Sequence, residues 1–258
     1  MAALLRGGQG GVVRLKLLLS MLWIAGKPPY DTSFPARAWA ALLDLDQPET
    51  NGARRVAAAL VTLEQRGLIR SERKRGVPTT VFLLDERGTR EPYRRPGEVA
   101  NEMRERREQL GQGDRYVQLP YSFWAKGWIG VLDGSAIAML LALLAQAERT
   151  HKIGDLWFSE SVGRGRLDLS SDLRSAGLRQ LEDYHLLLSR KQSISRSSFD
   201  AKRLRKTYTL RLAQLVAGPG EWVPDAEATS ADILSSWERA ANIDLNEFND
   251  LGVPNDST

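Results

Sequence analysis

Residues 51–84, NGARRVAAALVTLEQRGLIRSERKRGVPTTVFLL, decide the fold. Val56, Leu60 and Leu63 recur at three- and four-residue spacing, which predicts an amphipathic helix from about Asn51 to Arg66. Asn51 is a good N-cap type, and Gly67 is the stop. Beyond Gly67, Leu68-Ile69-Arg70-Ser71 and Thr79-Thr80-Val81-Phe82-Leu83-Leu84 flank the turn Glu72-Arg73-Lys74-Arg75-Gly76. Their β-branched and aromatic content on either side of a glycine predicts a hairpin.

Working back toward the N-terminus, a short helix is predicted at about Pro35–Leu43, with Pro35 in the first turn and Ala38, Leu42 and Leu43 inward. Before it, Leu15, Leu18, Leu19, Leu22 and Trp23 share one helical face over Val12–Ala25, and Gly26 and Pro28-Pro29 end that helix. The glycine-rich Gly7–Gly11 makes residues 1–11 a flexible N-terminus. Residues 12–84 therefore hold three helices followed by a hairpin.

The same order returns after Tyr116. Gly134–Arg149 is an almost uninterrupted apolar helix, and Trp157-Phe158-Ser159 reads as a short strand ending in an N-cap. A short helix is expected at Ser161–Arg166, then one capped by Ser170 or Ser171 that runs to about His185. Leu186-Leu187-Leu188-Ser189 and Thr207–Leu212 are expected to pair across a long loop, Arg190–Lys206. An offset of 118 places Leu60, Leu63 and Leu68 on Leu178, Leu181 and Leu186, a weak internal repeat. The fold class is mainly α with small β-hairpins (α+β), with one unit at 12–84 and a second at 116–217. Residues 85–115 read as a charged linker with a solvated helix near Glu98–Leu110. Residues 218–258 form an acidic tail in which Ile233, Leu234, Trp237 and Ala241 share a helical face over Ser230–Ala241. That face suits docking on the chain's own body, a protein partner or a second copy.

Composition narrows the chemistry. With no cysteine, and only His151 and His185 as histidines, thiolate and histidine-rich metal sites are excluded and no cofactor is expected. The apolar Val12–Ala25 carries Arg14 and Lys16 and falls short of the roughly 20 residues a spanning helix needs, so the reading is a cytoplasmic protein with no membrane partner. Residues 218–258 carry nine acids against Arg239, a charge of −8, which leaves +12 on residues 1–217 of a chain whose total is +4. A basic body with an acidic tail points to a polyanionic partner. Walker-type loops, His-Glu-x-x-His and Gly-x-Ser-x-Gly are all missing, and Gly163-Arg164-Gly165 lacks a third glycine. His185, near the end of an apolar helix, reads as structural and Tyr208 as a packed strand residue, so no enzyme is expected.

Arg54–Ile69 resembles the recognition helix and first wing strand of bacterial winged-helix regulators, and Leu173–Leu187 resembles the same element with Tyr184-His185 where a small residue or glycine is usual. Together the similarities cover roughly 170 residues and imply two winged-helix domains in tandem, a double-stranded DNA partner and a nucleoid-associated location. In such proteins the third helix enters the major groove. The resemblance thus points to Asn51, Arg54, Arg55 and Thr62 in the first unit, and to Ser170, Ser171, Arg174, Ser175 and Arg179 in the second. Arg70, Arg73, Lys74 and Arg75 crowd the first wing, and Arg190, Lys191, Arg196, Lys202, Arg203, Arg205 and Lys206 the second. Such loops are placed to meet phosphates or the minor groove. The expected function is sequence-specific regulation of transcription. The alternatives are a plasmid or phage replication initiator, and a tandem winged-helix scaffold for protein interaction. The first unit is expected to supply more of the sequence reading and the second more of the backbone grip.

Overall fold

The computed structural model describes residues 2–5, 9–106, 116–158, 168–193 and 204–224. Within them the chain is a mixed α and β structure with small antiparallel sheets. No helix among the described residues is long and apolar enough to cross a membrane.

Residues 2–5 and 9–11, expected to belong to a flexible N-terminus, are helical. A helical turn, α1 (Ala2–Leu5), precedes α2 (Gln9–Ile24), which starts three residues before the expected Val12. Gly11 is the reason: a Cβ there would overlap the Leu5 carbonyl, so only glycine lets α1 lie against α2. Arg14 secures the contact, donating from Nε and Nη2 to the Leu4 carbonyl at 3.2 and 3.1 Å. Tertiary packing here outweighs the glycine penalty of roughly 1 kcal/mol per helical residue.

After α2 come β1 (Asp31–Thr32), α3 (Ala36–Leu42), a π-helical turn at Pro48–Gly52, α4 (Ala53–Gln65), β2 (Ile69–Glu72) and β3 (Thr80–Leu83). The sheet has strand order β1-β3-β2, with Thr32 opposite Val81 and Ile69 opposite Leu83. Val56, Ala59 and Leu63 form the buried stripe of α4, and Leu60 is only partly covered. Asn51 does not cap this helix. Its amide donates to Gln47 Oε1 at 2.7 Å and its oxygen accepts from Arg54, because the π-helical turn carries the chain into α4 without a side-chain cap. Pro35 likewise sits one residue ahead of α3 rather than in its first turn.

The stretch expected to be a solvated spacer packs onto this unit. Its helix, α5 (Pro96–Glu105), buries Ala100, and Glu98 accepts a 2.9 Å hydrogen bond from the Tyr30 hydroxyl. The Tyr93 ring meets Tyr30 edge-on at 5.1 Å.

The second unit opens with α6 (Ser122–Ala125) and α7 (Trp128–Val131), then α8 (Gly134–Thr150), in which every residue from Ala136 to Leu144 is buried. The strand expected at Trp157–Phe158 is a single bridge one residue earlier, Leu156 to Tyr208. It is followed by α9 (Ser171–Asp183), β4 (Leu187–Ser193), β5 (Leu204–Leu210) and α10 (Leu212–Val216). The hairpin runs longer than expected, pairing Leu187 with Leu210 through to Ser193 with Leu204. Leu212, expected at the end of the second strand, starts α10. The helices expected at Ser161–Arg166 and Ser230–Ala241, with Ile233, Leu234 and Trp237, lie outside the described residues.

One hydrophobic core runs through both units. On α2, Val13, Leu15, Leu17, Leu18 and Met21 are buried while Leu19, Leu22 and Trp23 are partly so, because the helix packs on α4 at one side and on α8 at another. The single stripe read from the sequence is therefore too narrow. Around it, Trp124 Nε1 donates to Ser20 Oγ at 3.1 Å, Trp23 stacks on Trp124 at 4.7 Å, and Lys16 Nζ donates to the Gly130 carbonyl at 2.6 Å. A Cβ on Gly130 would come within 2.8 Å of the Asp44 Cβ, so the two units meet backbone to side chain at this point.

Candidate nucleic-acid interface

With Val56, Ala59 and Leu63 committed to the core, the opposite face of α4 is left to solvent: Arg54, Ala57, Ala58, Val61 and Gln65 are exposed along it. Of the four residues expected to contact DNA from this helix, Arg54 lies on that face and is oriented by the exposed Asn51. Arg55 is half-buried beside Lys16, and the Thr62 hydroxyl is spent on the Ala58 carbonyl at 3.0 Å.

The corresponding helix, α9, exposes Ser171, Asp172, Leu173, Ser175, Ala176, Arg179 and Asp183. Ser170 is its N-cap, accepting from the Leu173 amide at 3.3 Å, and Ser171 bonds Asp172 at 3.4 Å. Arg174 departs from expectation: it is half-buried and close enough to Tyr208 to affect its hydroxyl, so it belongs to the packing of α9 on the sheet. Ser175 and Arg179 remain on the exposed face. The helix carries Asp172, Glu182 and Asp183 against two arginines, whereas α4 carries Arg54 and Arg55 against Glu64. The two exposed faces thus differ in sign.

Each hairpin brings cations beside its helix. In the first, Arg70 is tied to Glu72 and lies 4.1 Å over the Phe82 ring, while Arg73 is 3.8 Å from Glu64. Lys74 and Arg75 are exposed at the tip, where Gly76 takes a positive φ of 82°. In the second, Arg190 pairs with Asp155, Arg205 lies 3.7 Å over Trp157, and Lys206 is 2.9 Å from Glu182. Lys191 is exposed and directly opposite Lys206 in the ladder. Arg196, Lys202 and Arg203 lie outside the described residues.

No family model, curated protein or solved structure matches the chain. Residue chemistry and geometry carry the functional reading.

Two carboxylates absent from the sequence-based candidates belong to the same surface. Glu64 Oε1 accepts from the Ser71 amide at 2.8 Å, fastening the root of the first hairpin to α4. Glu182, in the matching place on α9, is pushed up by burial, but hydrogen bonds from Ser189 and Lys206 outweigh this and hold its carboxyl below the usual range. The signal was in the repeat: adding 118 takes Glu64 to Glu182 and Ser71 to Ser189 as well as matching the leucines.

Behind α4 lies a buried ammonium. Burial, with Arg55 nearby, lowers Lys16 to about 8, although Asp133 and Asp44 favour its charge. Tyr208 is raised mainly by burial, as fits a residue packed in the ladder.

Proposed function

We propose that the chain is a double-stranded DNA-binding protein with two winged-helix units, in which α4 and α9 face the major groove and the hairpins are wings, and that it regulates transcription at a specific sequence. The observation that carries this reading is the repetition of one helix-to-hairpin join. The Leu68 amide returns to the Leu63 carbonyl at 3.1 Å, and the Leu186 amide to Leu181 at 2.9 Å. The Leu83 amide bonds the Tyr30 carbonyl at 3.0 Å, and the Leu210 amide bonds Ile153 at 2.9 Å. In each unit a strand or bridge that precedes the helix thus completes the hairpin. A buried helix behind, an exposed helix in front and a cationic hairpin beside it suit a groove flanked by two rows of phosphates.

The units divide the work. Arg54, held by Asn51 on a face where its neighbours are Ala57, Ala58 and Val61, has room to approach a base edge, and its fork suits guanine. The α9 face carries Asp172 and Asp183, which phosphates repel, so the second unit contributes mainly through Lys191 and its hairpin.

Fluorescence anisotropy of the whole chain on a duplex, titrated across salt, tests the reading. Neutralising about 5 phosphates gives a slope of log affinity on log salt near −4 to −5. On a duplex recovered by selection, Arg54→Ala lowers the preference over mixed sequence by about 1–3 kcal/mol, whereas Lys191→Ala weakens both duplexes alike. A chain that shows no salt-dependent duplex binding at low salt is not a DNA-binding protein, and the proposal falls.

A further inference from the structure

Glu64 and Glu182 stand in poor electrostatic places. Each is in the last turn of an exposed helix, where the carbonyl end of the dipole disfavours an acid, and neither helix has a basic residue in that turn. Each also lies on the surface that the proposed function brings toward phosphates. Two equivalent positions carrying the same disfavoured charge call for a shared purpose, and the contacts supply one. Glu64 holds the Ser71 amide at 2.8 Å and lies 3.8 Å from the Arg73 guanidinium. Glu182 bonds Ser189, the residue matching Ser71, and lies 2.9 Å from Lys206. In both units one carboxylate joins helix, hairpin root and one hairpin cation, reaching the root through the Ser71 amide in the first unit and through the Ser189 side chain in the second.

We propose that Glu64 and Glu182 are paired positioning residues that fix each wing to its reading helix and hold one wing cation in competition between carboxylate and phosphate. The inference rests on the duplex-binding reading above. The geometry suits exchange: Arg73 and Glu64 side chains are 65% and 37% exposed, Lys206 and Glu182 47% and 30%. The Arg73–Glu64 pair is exposed and weakly held, and although the Glu182 oxygen facing Lys206 is covered, the Lys206 ammonium is exposed, so a closely placed phosphate can compete with either carboxylate for its cation. On a mismatched duplex the phosphate is not aligned and the cation stays with its glutamate, which lowers nonspecific affinity. The carboxylates therefore sharpen discrimination while adding no base contact of their own.

The experiment compares the whole wild-type chain with Glu64→Gln, Glu182→Gln and Glu64→Ala. Its probes are a mixed-sequence duplex and the duplex recovered by selection against wild type. Glutamine keeps an acceptor for the hairpin root and removes the charge. Each glutamine variant should bind the mixed duplex about 3- to 10-fold more tightly at low salt, with a salt slope steeper by about 0.9 for the one cation released. Affinity for the selected duplex should rise less, so the ratio between them falls. Glu64→Ala should show the same steeper slope together with faster hydrogen exchange at the Ser71 amide, which Glu64→Gln leaves protected. Wild-type binding with unchanged slopes in both glutamine variants overturns the competition and leaves the DNA reading standing. Equal Ser71 exchange in Glu64→Gln and Glu64→Ala overturns the fixing of the wing. Absence of salt-dependent binding by wild type overturns the duplex reading itself and the competition with it.

Discussion

His185 holds the backbone place in the second unit that Gly67 holds in the first. Both have positive φ, 57° and 70°, and each comes just before a leucine whose amide turns back to the buried leucine of the preceding helix. The αL conformation that ends α4 without strain costs a side-chain-bearing residue about 1–2 kcal/mol at the end of α9.

From this it follows that His185→Gly stabilises the protein by about 1 kcal/mol. The His185 side chain is exposed and its carbonyl, which accepts from Arg211 at 3.2 Å, is retained in the variant. Gly67→Ala goes the other way, since its Cβ would also meet the Arg90 side chain at 2.6 Å. Urea unfolding followed by circular dichroism measures both. A glycine variant no more stable than wild type would refute the strain.

Gly177 sets how closely α9 lies on α8. A Cβ there would overlap the Ser135 carbonyl, which is backbone and cannot swing away. The matching position in the first unit is Ala59, buried at 3% exposure, so that helix pair sits far enough apart to hold a methyl group. Gly177→Ala should cost roughly 1–3 kcal/mol by overpacking, although alanine is the better helix former. Ala59→Gly should instead cost through a small cavity and glycine's helix penalty. Chemical denaturation of the two variants separates these effects, and a Gly177→Ala protein as stable as wild type would remove the close contact.

The extent to which the sequence disclosed this structure follows from the range over which each interaction acts. The stripes of α4 and α9, the two hairpins and the 118-residue offset are local patterns, and Leu63, Leu68, Leu181 and Leu186 are all buried as that offset requires. Local patterns do not say what lies on the far side of an apolar helix. On α2, Lys16, Ser20 and Trp23 meet Gly130 and Trp124 of the second unit, on a side of the helix that the first unit alone would leave open. For the same reason Gly11, a loop signal in the sequence, became a packing contact. The candidate interface was legible by residue type and less so by orientation. Arg54 and Arg55 are neighbours, yet only Arg54 points clear of the core. Arg190, Arg205 and Lys206 are as basic as Lys191, but strand register and the Leu156 bridge give them Asp155, Trp157 and Glu182 as partners.

Lys16 predicts a stability that depends on pH. Its folded value of about 8 is below the ordinary 10.5, so the buried charge destabilises the fold fully below pH 8, and the penalty is relieved as pH rises from 8 to 10.5. The change across that window is on the order of 3 kcal/mol. Lys16→Met removes the titrating group but leaves the Gly130 carbonyl without its donor, which costs about 1–3 kcal/mol at every pH. The difference in unfolding free energy between wild type and variant should therefore shift in favour of wild type as pH rises from 8 to 10.5. A difference that stays flat across this range would show that Lys16 is not held in a protonation state of its own.

Under the duplex-binding reading proposed above, the shared core sets how the two units would meet DNA. If α4 and α9 were carried by units on a loose tether, a change in the separation of their target sequences would be met by the chain between them, and affinity would fall only slowly with distance. Here α2 packs on α4 and α8, α8 packs on α9, and Gln180 of α9 accepts from the amide of Asp133 at the start of α8 at 2.8 Å. A carbonyl contact to buried Lys16 and the Trp124–Ser20 bond cross the same junction. No element in this series can slide without opening the core. Inserting about 5 base pairs between the two contacted segments turns one by roughly half a helical turn. Specific affinity should drop more than tenfold, toward the level of mixed sequence. Inserting a full turn should not restore it, because the fused units cannot lengthen. Footprints that follow both segments as the spacing changes would show that the junction opens on DNA.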